Sequence, residues 1–331
     1  APAGVAPGDI RRAGPVRAPA ETPLVDIRHP ELPGGVTLRA KLESVHPGGS
    51  VKDRSVARMI DRALAEGAFD GRRLLDSTSG NAGIAYAQIG AARGVAVTLV
   101  VPANASPERL ARIRAHGAEL ILTDPFDGYD ATISRARALA RRHPDRYWYA
   151  NQYANPENWL AHYHGTGAEI LEQWREAGAA TSGDDSDETP VVRGSAGTGP
   201  DAFVSGIGTG GTLTGVARRF READPQTRIV AVIPERFPGI EGLKPLGLPE
   251  DHVPELLDET LIDDRDTVTS EDAARRCAEL ARLGFFVGPS SGANVHVALE
   301  LAASGVARRI ATILPDTGER YVSTGLWEVT G

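Results

Sequence analysis

The sequence predicts an α/β fold with mainly parallel sheets, and three observations lead to that class. Strand-like segments alternate with helical ones along most of the 331 residues, a pattern typical of parallel sheets covered by helices on both faces. Glycine-rich turns follow several of the strands, where the ligand-binding loops of such sheets gather. At 331 residues the chain can form one large α/β domain or two smaller ones. We predict two three-layer α/β/α domains, because the candidate site residues fall into two segments of the chain.

The strands are predicted from short apolar runs bounded by turn residues. They are VTLRAKLE (36–43), LLD (74–76), VAVTLVV (95–101), AELILT (118–123), YWYA (147–150), AFVSGIG (202–208), RIVAVI (228–233) and RIATILP (309–315). Apolar residues at helical spacing predict the helices between them. These cover residues 56–67, 84–94, 106–117, 129–142, 156–176, 270–283 and 291–303, with one more helix between AFVSGIG and RIVAVI.

Composition narrows the classes of function. A formal net charge of −8 disfavours a nucleic-acid or anionic-membrane partner. A single cysteine, Cys277, excludes an internal disulfide framework and a cysteine-built metal site, and we expect no metal. Residues 1–20 predict a flexible tail, and the polar stretch 178–200 predicts an exposed loop. No apolar run predicts a membrane span, and we expect a cytoplasmic protein.

A lysine stands at a predicted helix start in HPGGSVKDR, residues 46–54. The letters PGG predict a tight turn, and Ser50 is a suitable N-cap for the helix that follows. A cation in the first helical turn opposes the helix dipole. Lys52 is therefore either a solvated surface lysine or an amine whose pKa the helix end and partial burial lower, as a Schiff-base lysine requires.

A glycine-rich turn joins a strand to a helix in SGIGTGGTLTGVARRF, residues 205–220. Free N–H groups at such a helix start predict an anion site suited to a phosphate. The glycines also fit G-x-G-x-x-G, and Glu235 lies where a ribose-binding acid is expected, so a dinucleotide site is one interpretation. Thr209 and Thr212 offer hydroxyls that suit a single phosphate, and a plain tight connection is the third interpretation.

Two other loops place hydroxyl and amide groups before a helix. DSTSGNAGIAYAQIG, residues 76–90, presents N–H and O–H donors at 78–81, which suit an anion such as an amino-acid carboxylate. VGPSSGANVHVALE places Ser290 and Ser291 at another helix start. Ordinary helix capping explains either loop equally well.

Together these segments resemble the cysteine synthase family of pyridoxal-phosphate enzymes, which have a fold of the tryptophan-synthase-β type. The lysine turn, the TSGN loop, the GTGGT turn, the SSGA turn and the ending PDTGERYVST occur in the order and spacing of that family, over roughly residues 20 to 328. The resemblance implies pyridoxal 5′-phosphate as the cofactor, Lys52 as the lysine that forms the internal aldimine and as the base for the α-proton, and a homodimer with small-molecule partners.

The resemblance also assigns binding roles. Asn81 contacts the ring hydroxyl of the cofactor, and Ser290 hydrogen-bonds its pyridine nitrogen. A phosphate cup is formed by Gly208, Thr209, Gly210, Gly211 and Thr212. The substrate carboxylate is held by Thr78, Ser79, Gly80, Asn81 and Gln152.

The assigned residues fall into two segments of the chain. Residues 45–150 carry Lys52 and the TSGN loop, and we predict that they form a smaller, mobile domain that closes on the substrate. Residues 21–44 and 151–331 carry the cup and Ser290 and form the larger domain. The cofactor is expected in the cleft between the two domains, because domain interfaces are a usual place for ligands.

The reaction implied by the resemblance is a β-replacement on an O-activated L-serine. O-Acetylserine or O-phosphoserine loses its β-substituent, and a sulfur nucleophile adds to the resulting α-aminoacrylate to give L-cysteine. Arg236 follows a strand end and is either a partner for the phosphate of O-phosphoserine or a solvated arginine. Alternatives within the family are a diaminopropionate-type synthase with an amino-acid nucleophile and a cystathionine β-synthase. A nicotinamide-dependent oxidoreductase is the alternative from another class.

Overall fold

The computed structural model describes residues 21–180, 199–248, 251 and 253–327. The predicted tail, residues 1–20, lies outside the described residues, and so does most of the loop predicted at 178–200. Residues 178–180 end a helix instead of starting that loop, since the last two are alanines, the best helix formers. Within the described ranges no helix is long and apolar enough to cross a membrane.

The helices and strands are numbered here in chain order. They are β1 (Leu24–Asp26), β2 (Thr37–Leu42), α1 (Lys52–Ala65), β3 (Arg73–Ser77), α2 (Asn81–Arg93), β4 (Val97–Pro102), α3 (Pro107–Ala115), β5 (Glu119–Thr123), α4 (Gly128–Arg142), β6 (Tyr147–Tyr149), α5 (Glu157–Ala161), a π-helical turn (His162–Gly167), α6 (Ala168–Ala180), β7 (Ala202–Gly206), α7 (Gly211–Ala223), β8 (Arg228–Pro234), β9 (Asp264–Val268), α8 (Ser270–Arg282), α9 (Pro289–Ala303) and β10 (Arg309–Leu314).

The chain divides into two compact units. The smaller unit is Lys52–Asn151, and the larger unit combines Glu21–Val51 with the described residues from Gln152 onward. Residues 45–51 belong to the larger unit because the backbone of Ser50 and Val51 pairs with residues 315 and 316.

A parallel four-stranded sheet in the order β5-β4-β3-β6 forms the centre of the smaller unit. Successive side chains of a strand point to opposite faces. Leu74 accordingly packs with the apolar faces of α1 and α2, whereas Leu75 packs on the other side with Ala136 of α4. The smaller unit therefore has three layers.

A six-stranded sheet in the order β1-β2-β10-β7-β8-β9 forms the centre of the larger unit. All neighbours are parallel except β1 and β2. Phe203 of β7 packs against α6 and α7, and the next residue, Val204, packs on the opposite face against α8 and α9. The larger unit is also three-layered, so the predicted α/β class is confirmed.

Two features differ from the sequence prediction. The short edge strands β1 (LVD) and β9 (DRDTV) were not predicted, and β9 has a single apolar residue, so its strand signal in the sequence is weak. The single helix predicted at 156–176 is interrupted by the π-helical turn His162–Gly167. Such turns often occur at functional sites, and this one lies behind the predicted phosphate cup, as described next.

Candidate active site

Lys52 is the first residue of α1 and is half-buried. The turn before it is closed by a hydrogen bond from the Gly49 N–H to the His46 carbonyl (2.7 Å). Gly49 has φ +77°, a conformation that glycine adopts without steric cost. A tight turn thus delivers the lysine to the start of a helix, as the sequence predicted.

The TSGN loop follows β3 and leads directly into α2. The Thr78 hydroxyl accepts hydrogen bonds from the Gly80 N–H (3.1 Å) and the Gly83 N–H (2.9 Å), so it organises the loop and the first turn of the helix. Ser79 is exposed, and Gly80 and Asn81 are half-buried. The accessible donors of the loop therefore come from Ser79 to Asn81, while Thr78 is buried and shapes them.

A buried carboxyl group supports this loop from inside the smaller unit. Asp76 has no exposed surface, and its carboxylate accepts from the Tyr86 hydroxyl (2.6 Å) and from the Ser77 N–H (2.8 Å). Burial, followed by the charge of Asp76, raises the pKa of Tyr86 well above its ordinary value. The phenol therefore stays protonated and keeps donating to the acid that precedes the loop.

The predicted phosphate cup joins β7 to α7 in the larger unit. The helix begins at Gly211 after Gly210, which has φ +82°, and its first N–H groups have no acceptor within the helix. A Cβ atom added at Gly211 would lie 2.2 Å from Asn158 Oδ1, and one at Gly210 would lie 2.9 Å from the Leu257 backbone nitrogen. The glycines are thus required by packing within the protein.

The helical segment from α5 into the π-helical turn holds the two cup threonines from behind. Asn158 Nδ2 donates to the Thr209 hydroxyl (3.0 Å) and to the Gln152 carbonyl (2.7 Å). His162 Nε2 lies 3.3 Å from the Thr212 hydroxyl. Asn158 therefore brings Gln152 and the cup together, although 51 residues separate Asn158 from Thr209.

Ser290 is the second residue of α9, after Pro289. It is 6% exposed, and its hydroxyl has no hydrogen-bond partner among the described residues, so it can bond a ligand. Asn294, one turn further along α9, accepts from the Gly206 N–H (2.8 Å) and donates to the Ile313 carbonyl (2.9 Å). These bonds connect the helix of Ser290 to the strand that leads into the cup.

Two charged residues that follow β8 are paired within the larger unit. Arg236 Nη2 donates to both carboxylate oxygens of Asp251 (2.9 and 2.7 Å), and the hydrogen bond from Arg236 holds the pKa of Asp251 below its ordinary value. The Glu235 carboxylate accepts from the N–H and the hydroxyl of Ser270 (2.5 Å each). Glu235 therefore caps the start of α8, which accounts for it without a ribose.

One group of potential metal ligands occurs among the described residues: His29, Glu31 and Glu279, whose ligand atoms lie within 4.8 Å of one another. Arg276 donates to Glu31 (2.7 and 2.6 Å) and to Glu279 (2.7 Å). A guanidinium group already supplies the positive charge there, so the cluster is an ion-pair network.

Known proteins resemble this chain over most of its length. A family described as "Pyridoxal-phosphate dependent enzyme" matches residues 17–316. The chain belongs to this family. It is 43% identical over 317 residues to a cysteine synthase of Aquifex aeolicus, covering 92% of this chain and 89% of that one.

Solved structures of similar enzymes have the same fold. An O-acetylserine sulfhydrylase, isoform 3, from Entamoeba histolytica superimposes with a TM-score of 0.81 at 29% identity, covering 99% of this chain and 95% of that one. An O-ureido-L-serine synthase gives a TM-score of 0.80 at 35% identity, with 94% and 93% of the two chains covered. The resemblance found in the sequence is thereby confirmed, and the dinucleotide interpretation of the glycine turn is set aside.

The residues present fit pyridoxal 5′-phosphate. The cofactor of this family carries a phosphate, a ring nitrogen and an aldehyde. The cup offers helix-start N–H groups to a phosphate, the hydroxyl of the buried Ser290 has no partner among the described residues, and Lys52 supplies an amine at a helix start. Each chemical feature of the cofactor therefore has a matching group in the chain.

Sequence reasoning missed Asn158 and His162. Both are buried polar residues four positions apart on one face of a helical segment. That spacing within NPENWLAH was the available signal, because polar residues facing the core require partners. Their partners, Thr209 and Thr212, lie about 50 residues away in the sequence.

Proposed function

We propose that the protein is a cysteine synthase: it replaces the β-substituent of an O-activated L-serine with a sulfur nucleophile and forms L-cysteine. The observation that carries the proposal is the 43% identity to a cysteine synthase over 92% of the chain. The lysine at the start of α1, the cup and the TSGN loop support it, because they are the groups that such a reaction requires.

The proposed chemistry divides between cofactor and protein. Pyridoxal phosphate, when bound, withdraws electrons from the α-carbon of the amino acid. Lys52 would hold the cofactor through its amine, and the same amine would serve as the base for the proton on the α-carbon of the substrate. The N–H and O–H groups of residues 78–81, with Gln152, hold the substrate carboxylate and orient that Cα–H bond toward the amine.

The larger unit fixes the cofactor in this proposal. The cup, Gly208 to Thr212, binds the phosphate through backbone N–H groups and the hydroxyls of Thr209 and Thr212. The Ser290 hydroxyl bonds the ring nitrogen as a neutral group, so it does not require that nitrogen to be protonated. A neutral partner favours loss of the β-substituent over transamination. Asn81, in the smaller unit, contacts the ring hydroxyl.

The function is tested by supplying the purified enzyme with cofactor, sulfide, and either O-acetylserine or O-phosphoserine. L-Cysteine should form from at least one donor at a rate that saturates with donor concentration, and mass spectrometry identifies the product. Absence of L-cysteine from both donors would overturn the proposal. The same assay with thiosulfate in place of sulfide shows which sulfur donor is used.

A second candidate function is that of a related synthase, which adds a nucleophile other than sulfide to the same serine-derived substrate. One of the structural matches, at 35% identity, is named for O-ureido-L-serine, a serine derivative without sulfur. Parallel assays with amino acids and with homocysteine test the diaminopropionate-type and cystathionine alternatives. A specificity constant for one of these that exceeds the value for sulfide would reassign the product while leaving the first half of the reaction unchanged.

We also propose a cytoplasmic homodimer. The single cysteine is buried and free, which suits a reducing compartment, where disulfides are rare, and the family resemblance carries the expectation of a dimer. Light scattering after size-exclusion chromatography should give twice the mass of one chain. The mass of a single chain at micromolar concentration would contradict the dimer.

A further inference from the structure

The C-terminal loop, residues 315–321, binds the segment that leads to Lys52. The Val51 N–H donates to the Pro315 carbonyl (2.8 Å). Ser50 and Asp316 form an isolated antiparallel bridge. Lys52 follows directly in the chain, so the backbone position from which its side chain starts is set by this pairing.

The same loop binds the segment that leads to Ser290. Val287 and Thr317 form a second antiparallel bridge, and the Gly288 N–H donates to the Asp316 carbonyl (3.3 Å). A Cβ atom at Gly288 would lie 2.2 Å from Asp316 Oδ1, so the buried aspartate packs directly against the residue that precedes α9. The same loop thus contacts the segment that precedes Lys52 and the segment that precedes Ser290.

Arg320 carries the side-chain part of this connection. It is 7% exposed, and its Nη2 donates to the carbonyl of Gly48, in the middle of the lysine turn. A Cβ atom added at Gly49 would lie 2.7 Å from the same Nη2. The guanidinium group therefore packs against the lysine turn, and it can approach this closely because Gly49 has no side chain.

The buried end of the loop is fixed in turn by Tyr321. Its hydroxyl donates to Asp316 Oδ2 (2.6 Å), and the tyrosine is 4% exposed. Asp316, Arg320 and Tyr321 are buried, and a loop anchored by buried residues can hold a neighbouring segment in a fixed position, whereas exposed loops are generally more mobile.

We propose that the C-terminal loop positions Lys52 for reaction with the cofactor aldehyde, and that Arg320 is the positioning residue that acts through the lysine turn. The inference rests on the proposed function, since it concerns the amine assigned there. Arg320 donates to the lysine turn, whereas the cup belongs to a different loop, between β7 and α7. Loss of Arg320 should therefore change how fast the amine captures the aldehyde without changing how tightly the cup holds a phosphate.

A purely structural arginine would behave differently, and the chain offers a matched control. Arg276 is also a buried arginine of the larger unit, 5% exposed, with charge-assisted bonds to Glu31 and Glu279. Glu31 lies between β1 and β2 and Glu279 lies on α8, so neither partner belongs to the lysine turn. Arg276→Lys therefore measures the general effect of altering a buried arginine.

The test uses the full chain freed of cofactor, as wild type, Arg320→Lys and Arg276→Lys. Affinity for the cup is measured with 4-deoxypyridoxine 5′-phosphate, which has the phosphate and ring but no aldehyde. Capture is measured by adding pyridoxal 5′-phosphate, reducing with borohydride at timed intervals and mapping the labelled peptide. Lysine at position 320 keeps a positive charge but loses the rigid fork of arginine.

We expect Arg320→Lys to bind the aldehyde-free analogue within about twofold of wild type and to label Lys52 about ten- to a hundredfold more slowly, because small displacements of a reacting group have effects of that size. Arg276→Lys should match wild type in both measurements. Labelling of Arg320→Lys at the wild-type rate, or an equal loss in both measurements, would overturn the inference.

If Arg320→Lys does not fold, Gly49→Ala displaces the same guanidinium from the other side and should give the same selective loss of capture. Unimpaired capture by that variant would then overturn the inference. Absence of labelling at Lys52 in wild type would instead refute the role of Lys52 in the proposed function, so the two failures are distinguishable.

Discussion

Lys52 is one of only three lysines in the sequence. Lys41 has no exposed surface and is ion-paired with Glu169 (2.9 Å). Lys244 lies over the ring of Tyr153, with Nζ 5.2 Å from the ring centroid. Few amines therefore compete for the aldehyde, and a covalent attachment can be mapped without ambiguity.

Lys52→Ala should abolish borohydride-trapped labelling and lower the rate of L-cysteine formation by several orders of magnitude. The variant should still fold cooperatively without cofactor, because alanine is a good helix former and the change lies in the first turn of α1. The measurements are peptide mapping, turnover and urea unfolding. Lys244→Ala is the matched control and should label and turn over normally; loss of labelling in that control would contradict the assignment.

The prediction that O-phosphoserine is a substrate depends on Arg236. Its guanidinium is paired with Asp251 and its side chain is 47% exposed, so it must share or exchange that partner to bind a phosphate. A charge-assisted pair contributes about 1.5–3 kcal/mol. Arg236→Ala should then lower kcat/KM for O-phosphoserine by at least about tenfold, while the value for the uncharged acetyl ester of O-acetylserine stays the same.

The control for Arg236 is Arg265→Ala, which removes a similarly exposed arginine paired with Glu259 and should affect neither substrate. The ratio of the two specificity constants is the quantity to compare. An equal fall for both substrates in Arg236→Ala would give Arg236 a structural role, and no change would remove the charge-based support for O-phosphoserine.

Cys277 predicts a specific pH dependence of stability. Burial raises the pKa of its thiol from 9.0 to about 12. Above pH 9 the unfolded thiol loses its proton while the folded one keeps it, so stability falls as the pH rises from 9 toward 12. At pH 10 the loss should be about 1.4 kcal/mol relative to pH 7.5.

The variant Cys277→Ala has no thiol at this position and therefore lacks this pH-dependent loss of stability. The decrease in unfolding free energy caused by the substitution, measured by urea unfolding, should be about 1.4 kcal/mol smaller at pH 10 than at pH 7.5. Other groups that titrate in this range are common to both proteins and cancel. If wild type and variant differ in unfolding free energy by the same amount at both pH values, the pKa of the thiol is not raised by folding.

At the scale of elements, the glycines of the phosphate cup pack closely against other segments of the larger unit. A side chain at Gly210 or Gly211 would collide with Leu257 or Asn158, so a glycine variant would lose cofactor affinity through distortion of the loop alone. A hydroxyl deletion is the more selective probe of the cup, since it leaves the backbone in place.

Thr212→Val should weaken binding of pyridoxal phosphate about tenfold, because a hydrogen bond to a charged group contributes about 1.5–3 kcal/mol and the shape of the side chain is retained. Thr214→Val is the control on the same helix: its hydroxyl bonds the Leu256 carbonyl (2.9 Å) and the Asp258 N–H (3.1 Å). That variant should lose stability and keep its affinity. Equal affinities for the two variants would exclude a contribution of Thr212 to the cup.

At the scale of the whole molecule, each unit has its own sheet and its own core, as independently moving domains do. We predict that the smaller unit, with the TSGN loop, moves as one body when an amino acid binds, and thereby excludes water from the reaction. Crystal structures with and without amino acid should each superimpose within the smaller unit and differ when superimposed on the larger one. Superposition without any shift would rule out closure.

Much of the fold could be predicted because it is locally encoded. The buried strands β4, β7, β8 and β10 are rich in apolar residues, and the helices between the strands carry apolar residues at helical spacing. The edge strand β9 escaped because a strand exposed on one side has a weak apolar signal. The site loops were found for a similar reason: glycines and hydroxyl residues before a helix are contiguous in sequence.

By itself, then, the sequence determined the class of fold, the lysine turn and the loops that follow β3 and β7, since periodicity and turn chemistry act between near neighbours. Only the tertiary structure decided which distant groups complete them. Asn158 reaches Thr209 across 51 residues, and Arg320 reaches Gly48 across 272. The order of strands and the partners of buried polar groups depend on chain segments meeting in space, and spacing along the chain does not encode which segments meet.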